Sequence, residues 1–416
     1  MTDVRLPRWL LPLLVCAVFV QTALHLARPL VTYRVIGLGG DALAVGLVTA
    51  AFAVLPLAAA MPLGRLTDRL RGLVGILTVG LVLSAGGTLF MSMTDSLVSL
   101  AATSAVLGLG QLVYMLSAQG IIARWSGDHL LDRAFGLFTA AVAVGQLVGP
   151  LLVGALLGDA SGTALLEASR VAFWVAAGIA LLSVPVAGLV AMRVPRMPRR
   201  PEGQEREPID SSLTLMRYRG VGASMYASLA LLSTVDILTA YLPLIGERRG
   251  ISPMAVGVLL AVRSAATISS RLLLDVMLRW GSRERLIVIS AGGSAVALAV
   301  VPIEGIGIIG MGAAMVVGGF LLGVGQPLTM SLLAIAVPAN ARSSVLALRM
   351  VANRVGQVAV PGVAGVVAAS AGAAGAWWLS CVVLATAAVV SQRGKPPERP
   401  PDGAPEDDAP GRPPPA

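Results

Sequence analysis

The sequence predicts an all-α membrane protein, with twelve transmembrane helices arranged as two related bundles of six. Three observations carry this prediction: an apolar composition, twelve apolar runs long enough to cross a bilayer, and an internal repeat that relates the first six runs to the last six. Of 416 residues, 56% are hydrophobic and 13% are charged, whereas roughly a quarter are charged in ordinary soluble domains. Because so few charges cannot cover a water-facing surface, the composition excludes a soluble protein.

Twelve apolar runs follow one another along the chain, separated by short polar segments. A helix needs about 20 apolar residues to cross a hydrocarbon layer of ~30 Å. The runs are Leu10–Leu30, Ala42–Leu63, Leu73–Met93, Leu97–Ala123, Ala134–Leu157, Val171–Met192, Gly220–Ile245, Pro253–Leu274, Leu286–Pro302, Ile306–Val337, Val345–Ala369 and Ala376–Val390. We expect each of them to be helical, since a helix satisfies its own backbone polar groups inside a membrane.

A polar break divides the runs into two sets of six. We expect residues 1–192 to form an N-terminal six-helix bundle and residues 220–391 to form a C-terminal one. Residues 193–219 are rich in proline and arginine, which predicts a basic cytoplasmic linker. Residues 392–416 combine proline and charge with too few apolar residues for a core, which predicts a disordered cytoplasmic tail.

The distribution of basic residues predicts the orientation. With the N-terminus inside, 22 basic residues fall in the inner segments and 5 in the outer loops, and cytoplasmic loops carry the excess of arginine and lysine. We therefore expect a multi-pass protein of the cell membrane with both termini in the cytoplasm. The net charge of +9 follows from the same bias, so the lipid bilayer is an expected partner and nucleic acid is not.

The reactive side chains are few. The two cysteines, Cys16 and Cys381, lie in apolar runs, and the two histidines, His25 and His129, are far apart in the chain. No cluster has metal-ligand spacing, no nucleotide-binding P-loop is present and no catalytic triad is visible. We expect no metal, no cofactor and no enzymatic activity.

Short motifs recur at a nearly constant offset, each time six runs apart. The matching pairs are Pro29–Leu30 with Pro243–Leu244, Ala44–Gly46 with Ala255–Gly257, Gly108–Gln111 with Gly323–Gln326, and Gly145–Gly154 with Gly356–Gly365, at offsets of 211 to 215. Agreement on one offset predicts a parallel repeat of two six-helix halves. Repeats of this kind place a substrate site at their interface, near the midplane of the membrane.

Two motifs resemble those of the major facilitator superfamily. Residues 64–72, Gly-Arg-Leu-Thr-Asp-Arg-Leu-Arg-Gly, are similar to the superfamily's loop between helices 2 and 3. Residues 145–154, with Gly-Pro at their centre, look like the helix 5 motif of its exporting, proton-antiporting branches. The resemblance covers residues 5 to about 392 and implies a transporter that works by alternating access.

The resemblance also implies roles for these motifs. The loop residues would form a conformational latch together with an acid in the second half: Gly64, Asp68, Arg69, Arg71 and Asp275. The helix 5 residues would bend that helix and seal a leak path: Gly145, Gly149, Pro150 and Gly154. The alternatives are a plain basic hairpin for the first motif and close helix packing alone for the second.

The fourth run departs from the pattern of the exporting branches. Drug/proton antiporters of this type carry an arginine in helix 4, four residues before a glycine. Counting back from Gly108, this chain has Ser104 there. Proton coupling through an arginine at this position is therefore not expected.

Ionisable residues inside the bilayer are costly, and so are functional candidates. Asp236 in the seventh run and Arg263 in the eighth both lie ~15 Å from the outer surface, at 1.5 Å per helical residue. An ion pair between them is predicted, because each would otherwise be an isolated buried charge. Asp236 would couple transport to protons, or the pair would be only structural.

The eleventh run carries a polar stripe. Arg349, Asn353 and Gln357 recur every four residues and share one face, with Arg354 beside them. Gln357 is also the repeat mate of Gln146 in the fifth run. We expect this stripe to face the bundle interior, where Arg354 would contact substrate or pair with an acid such as Asp236.

A second polar face lies in the first run. Gln21, His25 and Arg28 follow one another along the helix toward its outer end. His25 is a candidate for proton coupling, because the imidazole titrates near neutral pH. The alternative is a hydrogen-bonded histidine without a role in coupling.

These observations predict a secondary active transporter. Because no ATP site is present, its energy would come from an ion gradient, with protons as the expected coupling ion. Efflux of a small organic compound is favoured by the helix 5 motif. Uptake or exchange of a small organic anion is the alternative, which the intramembrane arginines and Ser104 favour. A polytopic membrane sensor or enzyme is the hypothesis from another class.

Overall fold

The computed structural model describes residues 6–69, 72–126, 128–158, 160, 162–195, 215–337 and 342–393. The described ranges contain helices and no strand. The helices are α1 (Leu10–Gly37), α2 (Ala42–Arg69), α3 (Leu73–Ser92), α4 (Leu97–Trp125), α5 (Asp128–Leu157), α6 (Gly162–Arg193), α7 (Val221–Arg248), α8 (Pro253–Leu272), α9 (Leu274–Trp280), α10 (Arg283–Ala299), α11 (Ile308–Ala336) and α12 (Arg342–Arg393).

The helices supply twelve crossing segments. Within the described ranges, ten helices are long and apolar enough to cross a membrane. The last of them, α12, has 52 residues and contains two crossing arms that meet at Gly372, whose φ of 67° interrupts the helix. The twelfth segment is α10, with 17 residues, and α9 is a short connection of 7 residues. The predicted all-α membrane fold is therefore confirmed.

The same pairs of helices pack together in both halves. In the first half α1 packs against α5 and α6, α2 and α3 pack against α4, and α3 packs against α6. In the second half α7 packs against α12, α8 and α10 pack against α11, and α10 packs against α12. Counting the two arms of α12 as separate segments, the second set repeats the first.

Several helices extend beyond their predicted ends. α1 continues past Leu30 to Gly37 because residues 31–36 remain mostly apolar. This places Arg34 inside the helix, where it is fully buried and donates hydrogen bonds to the carbonyl oxygens of Leu166 (3.1 Å) and Thr94 (2.6 Å). α2 likewise continues to Arg69, so the first residues of the predicted latch lie in its last turns and not in a loop.

The two halves pack against each other at one end of the molecule, where α1 ends and α2 begins. This end is called the closed end below. Its buried apolar residues form one cluster that includes residues of both halves. Two hydrogen bonds also cross between the halves: Thr32 Oγ1 donates to the carbonyl oxygen of Ala240 (2.8 Å), and the Tyr241 hydroxyl donates to that of Ala42 (3.0 Å).

At the opposite end, the described buried apolar residues form separate clusters. One cluster, around Leu13, Leu77 and Ile121, belongs to the first half. Two others, around Val221 and around Leu286, belong to the second half. The described contacts between the halves are therefore concentrated at the closed end.

Two glycine contacts seal the closed end, and they are copies of each other. A Cβ at Gly46 of α2 would lie 2.5 Å from Gly365 Cα of α12 and 2.7 Å from the carbonyl oxygen of Pro361. A Cβ at Gly257 of α8 would collide with the carbonyl oxygen of Pro150 and lie 3.2 Å from the Gly154 nitrogen, both in α5. The repeated motifs of each half thus meet the partner motif of the other half. We call these contacts the two glycine seams.

Candidate functional site

A buried ion pair joins the two halves next to the closed end. Arg28 of α1 places Nη1 2.6 Å from Oδ1 of Asp236 in α7. The Asp236 side chain is 3% exposed and that of Arg28 13%. Asp236 Oδ1 has no hydrogen-bond partner among the described residues, so its contact with Arg28 is a charge pair. The guanidinium also lies over the ring of Phe52 in α2, 4.8 Å from its centroid.

The pair continues into a chain of side chains on α12. Gln357 Nε2 donates a hydrogen bond to Asp236 Oδ2 (2.8 Å), and Arg354 Nη1 donates one to Gln357 Oε1 (2.9 Å). Asp236 therefore pairs directly with Arg28 of the first half and is linked through Gln357 to Arg354 of its own half. This arrangement is called the Asp236 network below.

The predicted ion pair between Asp236 and Arg263 is wrong. Because α1 is longer than the first predicted run, Arg28 lies nine residues before its end, ~14 Å below the closed end at 1.5 Å per residue. That depth is comparable to the depth of Asp236, and α1 packs against α7. Arg28 therefore reaches the carboxylate that Arg263 was expected to hold.

A small cavity borders the Arg28–Asp236 pair. Its volume is about 20 Å³, and its polar lining comes from both halves, with Thr49 and Ser104 on one side and Thr239 on the other. Such a volume is enough for about one water molecule and too small for an organic compound. Ser104, which stands where the exporting branches carry an arginine, therefore faces the same cavity as the Asp236 network.

Arg263 lies close to this network without a carboxylate of its own. The residue is 6% exposed, and its Nη2 donates a hydrogen bond to the neighbouring Ser264 Oγ (3.2 Å). Its Nε has no hydrogen-bond partner among the described residues. Arg271, Arg28, Asp236 and His25 interact with it electrostatically, and only Asp236 among them is an acid.

The rest of the polar stripe on α12 is buried within the second half. Arg349 Nη2 donates to Gln326 Oε1 of α11 (2.6 Å), and Gln326 Nε2 donates to the carbonyl oxygen of Ser228 in α7 (3.1 Å). Asn353 is 7% exposed, and its Oδ1 has no described partner. These contacts tie α7, α11 and α12 together.

The structure does not bring every predicted site residue into the network. Gln21 is buried, with Nε2 3.4 Å from the Met115 sulfur. Gln146 is half-buried, and neither it nor His25 forms a hydrogen bond to a described residue. For the predicted latch, the structure describes the backbone but not the side chains at Gly64, Asp68, Arg69 and Asp275. Arg71 lies outside the described residues altogether.

The helix 5 motif packs in two directions. A Cβ at Gly145 would lie 2.5 Å from Gln21 Cβ, and one at Gly149 would lie 2.6 Å from the carbonyl carbon of His25, both in α1. Pro150 and Gly154 contact α8 in one of the glycine seams. The motif therefore holds α1 and closes the contact between the halves.

The described interior is unbalanced in charge. Arg28, Arg263 and Arg354 surround one carboxylate, Asp236, which is the only acidic residue in the middle of a predicted span. The pairing of Arg28 with Asp236 was not predicted from the sequence, because Arg28 was placed near the outer end of a shorter helix. The mostly apolar residues 31–36 extend this helix, and they were the signal in the sequence that Arg28 lies deeper.

Comparison with known proteins gives a family and several solved structures. The family model described as Major Facilitator Superfamily matches residues 13–318. A variant of the nucleoside transporter NupG is 14% identical, with a TM-score of 0.74, over 92% of this chain and 98% of its own. A D-xylose-proton symporter is also 14% identical, with a TM-score of 0.74, over 93% and 97%.

A bacterial homolog of the human lysosomal transporter Spinster, in an inward-facing and occupied conformation, is 16% identical over 93% of this chain and 96% of its own, with a TM-score of 0.68. No curated protein sequence matches the chain. At these identities the solved structures are alike in fold alone.

Proposed function

The chain belongs to the Major Facilitator Superfamily, and from this premise we propose that it is a proton-coupled secondary transporter that moves a small organic compound by alternating access. The observation that carries this proposal is the buried Arg28–Asp236 pair. It joins a cation of the first half to a carboxylate of the second half at a depth of ~14–18 Å from the closed end. The pair lies where repeated transporters bind substrate and coupling ions.

Protonation of Asp236 gives this pair a switching role. A charged carboxylate attracts Arg28 across the interface, whereas a neutral one leaves a cation without its counter-charge. Because buried charges are stable only when paired, proton binding would weaken the contact between the halves. The ionisable groups that face Asp236 are Arg28, Arg263 and Arg354, with His25 close to the first two. In this proposal Asp236 carries the proton and His25 does not.

The direction of transport has two candidates. Efflux by proton antiport rests on the helix 5 motif, whose Pro150 and Gly154 seal the closed end. Uptake of an organic anion together with a proton rests on the excess of buried arginine over acid. A neutral Asp236 raises the net positive charge of the site, so a proton and an anion would bind together and move in the same direction.

Proteoliposomes that enclose the pH dye pyranine test the proposal. Hydrophobic amines, neutral sugars and nucleosides, and small carboxylates are added outside, one at a time. We expect at least one compound to change the internal pH with the wild type by more than it does in protein-free liposomes, and none to exceed that protein-free background with Asp236→Asn. Glu304→Gln removes an exposed acid on the α10–α11 loop and serves as the matched control, which should behave as the wild type does.

The sign of the pH change separates the two directions. Symport acidifies the interior as the compound enters, and antiport makes it more alkaline. Compound-driven proton movement that persists in Asp236→Asn would overturn the proposed role of this carboxylate. A wild-type protein that moves a compound without any proton would overturn proton coupling itself.

A further inference from the structure

Arg263 is a buried cation whose surroundings do not neutralise it. Arg263 is only 6% exposed to solvent, and its one described hydrogen bond goes to the hydroxyl of Ser264. A hydroxyl carries no charge, and the guanidinium Nε has no partner at all among the described residues. Burying a charged donor without a matching acceptor is costly. Buried charged residues of this kind are commonly found where a ligand supplies the hydrogen-bond acceptor.

Asp236 is the one acid near Arg263 among the described residues, and other residues already bind it. Asp236 offers one oxygen to Arg28 and the other to the Gln357 amide, which in turn binds Arg354. Arg28 and Arg354 share this carboxylate, and Arg263 adds a third cation beside it, so these groups keep a net formal charge of about +2 when Asp236 is ionised. An oxyanion is the ligand that would balance it.

Arg263 is also placed where a ligand would meet both halves. It lies on α8, ten residues after Pro253, ~15 Å from the closed end at 1.5 Å per residue. A Cβ at Gly319 of α11 would lie 2.5 Å from the Arg263 carbonyl oxygen and 2.8 Å from its Cγ. This close approach holds the base of the side chain against α11. His25 of α1, in the other half, interacts with it electrostatically.

We propose that Arg263 binds the carboxylate of the transported compound, so that the substrates are small organic monocarboxylates. The planar guanidinium presents N–H groups in a fork that matches the two carboxylate oxygens. This inference rests on the proposed transport function and adds the substrate class to it. It also assigns separate roles, since Arg263 holds the anion while Asp236 holds the proton.

Thermal unfolding of the purified protein in detergent tests the inference without any transport. The probes are matched sets of compounds that differ in one group: benzoate, benzamide, benzylamine and phenyl phosphate, and butyrate, octanoate and their amides. We expect at least one carboxylate to raise the unfolding temperature while its amide and amine do not. Stabilisation by the amide or amine as strong as by the carboxylate would overturn the inference, as would the absence of stabilisation by every carboxylate.

Variants locate the binding group. Arg263→Gln should raise the apparent Kd of the stabilising carboxylate about tenfold or more, because a charged hydrogen bond is lost, whereas Arg263→Lys should retain part of the affinity. Arg279→Gln removes an exposed arginine on α9 and should leave the Kd unchanged. If Arg263→Gln proves unstable, Arg263→Lys alone tests whether Arg263 binds the carboxylate. An unchanged Kd for both the carboxylate and the phosphate in that variant would overturn this role of Arg263.

The phenyl phosphate arm distinguishes two sources of the oxyanion. Stronger stabilisation by phenyl phosphate than by benzoate overturns the monocarboxylate class and points to phosphorylated compounds. Asp236→Asn separates the two proposals, because removal of the negative charge should lower the Kd of the carboxylate while it stops proton movement. Carboxylate binding at Arg263 with unaltered proton movement in Asp236→Asn would defeat the proposed function and leave this inference standing.

Discussion

Gln146 and Gln357 occupy matching positions in the two halves, at the repeat offset of 211, yet only one of them contacts a charged residue. Gln357 bridges Asp236 and Arg354, whereas Gln146 is half-buried on α5 with no described hydrogen bond. The two glycine seams, by contrast, use the same residue types in the same geometry. The halves are therefore alike where they pack and different where they bury charge.

This difference separates two demands on the sequence. Closing the interface needs small residues at the same positions in both halves. With only one of the two glycine seams, the helices at the other seam would stay separated. Binding a proton and a compound needs a charge arrangement that the twofold repeat would not provide. The second half supplies the acid and most of the cations, and the first half supplies Arg28 alone to the Asp236 network.

The largest expected effect comes from Arg28, the cation of the Asp236 network that pairs with the other half. Arg28→Ala leaves Asp236 buried without its partner, which costs about 3–5 kcal/mol for a buried pair, and should lower the thermal unfolding temperature in detergent. The double variant Arg28→Ala/Asp236→Asn should recover most of the loss, because the lone charge is gone. Arg279→Ala, on the exposed face of α9, is the control. An Arg28→Ala protein as stable as the control would show that the pair contributes nothing.

The two glutamines give the sharpest comparison between the halves. Gln357→Ala removes a hydrogen bond to the Asp236 carboxylate and should cost about 1.5–3 kcal/mol. Gln146→Ala should stay within about 0.5 kcal/mol of the wild type, since it breaks no described hydrogen bond. Chemical unfolding of both variants, side by side, measures the difference. Equal losses would mean that the asymmetry of the polar site has no energetic consequence.

The glycine seams test the symmetric part of the comparison. Gly46→Leu and Gly257→Leu each introduce a side chain where a Cβ already has no room, at a cost of about 1–3 kcal/mol. Each should open the closed end to a similar degree, whereas Gly188→Leu on α6, where a Cβ meets nothing within 4 Å, should not.

Spin labels at Glu167→Cys and Glu304→Cys report this opening as a longer distance across the closed end. Both positions are exposed, and the natural cysteines, Cys16 and Cys381, are buried. A change with only one of the two leucine variants would contradict the equivalence of the seams.

The smallest effect concerns the origin of the cation in the first half. Ser104 and Arg28 line the same small cavity beside Asp236, so an arginine on α4 should partly replace the one on α1. Arg28→Ser/Ser104→Arg should recover about 1 kcal/mol of the stability that Arg28→Ser loses. A double variant no more stable than Arg28→Ser would show that the cavity does not accept a cation from α4.

The sequence predicts the scaffold better than the site, for a physical reason. Apolar runs of about 20 residues fix where the helices lie, and the repeated glycines of residues 44–46 and 255–257 indicate which segments are equivalent. The partner of Asp236 depends instead on which side chains from different helices meet. Because the first run was predicted to end at Leu30, the sequence placed Arg28 near the membrane surface, whereas α1 continues to Gly37 and places it deeper. The contacts that hold Gln357 against Asp236 likewise join helices more than 100 residues apart.

In the proposed mechanism, Asp236 is the group that links compound movement to proton movement. Exchange of a labelled carboxylate between the two sides of a vesicle needs substrate binding and reorientation, whereas proton movement needs the titrating group as well. With the carboxylate that stabilises the protein most, Asp236→Asn should retain exchange and lose the accompanying change in internal pH. An Asp236→Asn protein in which exchange and proton movement both persist would contradict the account.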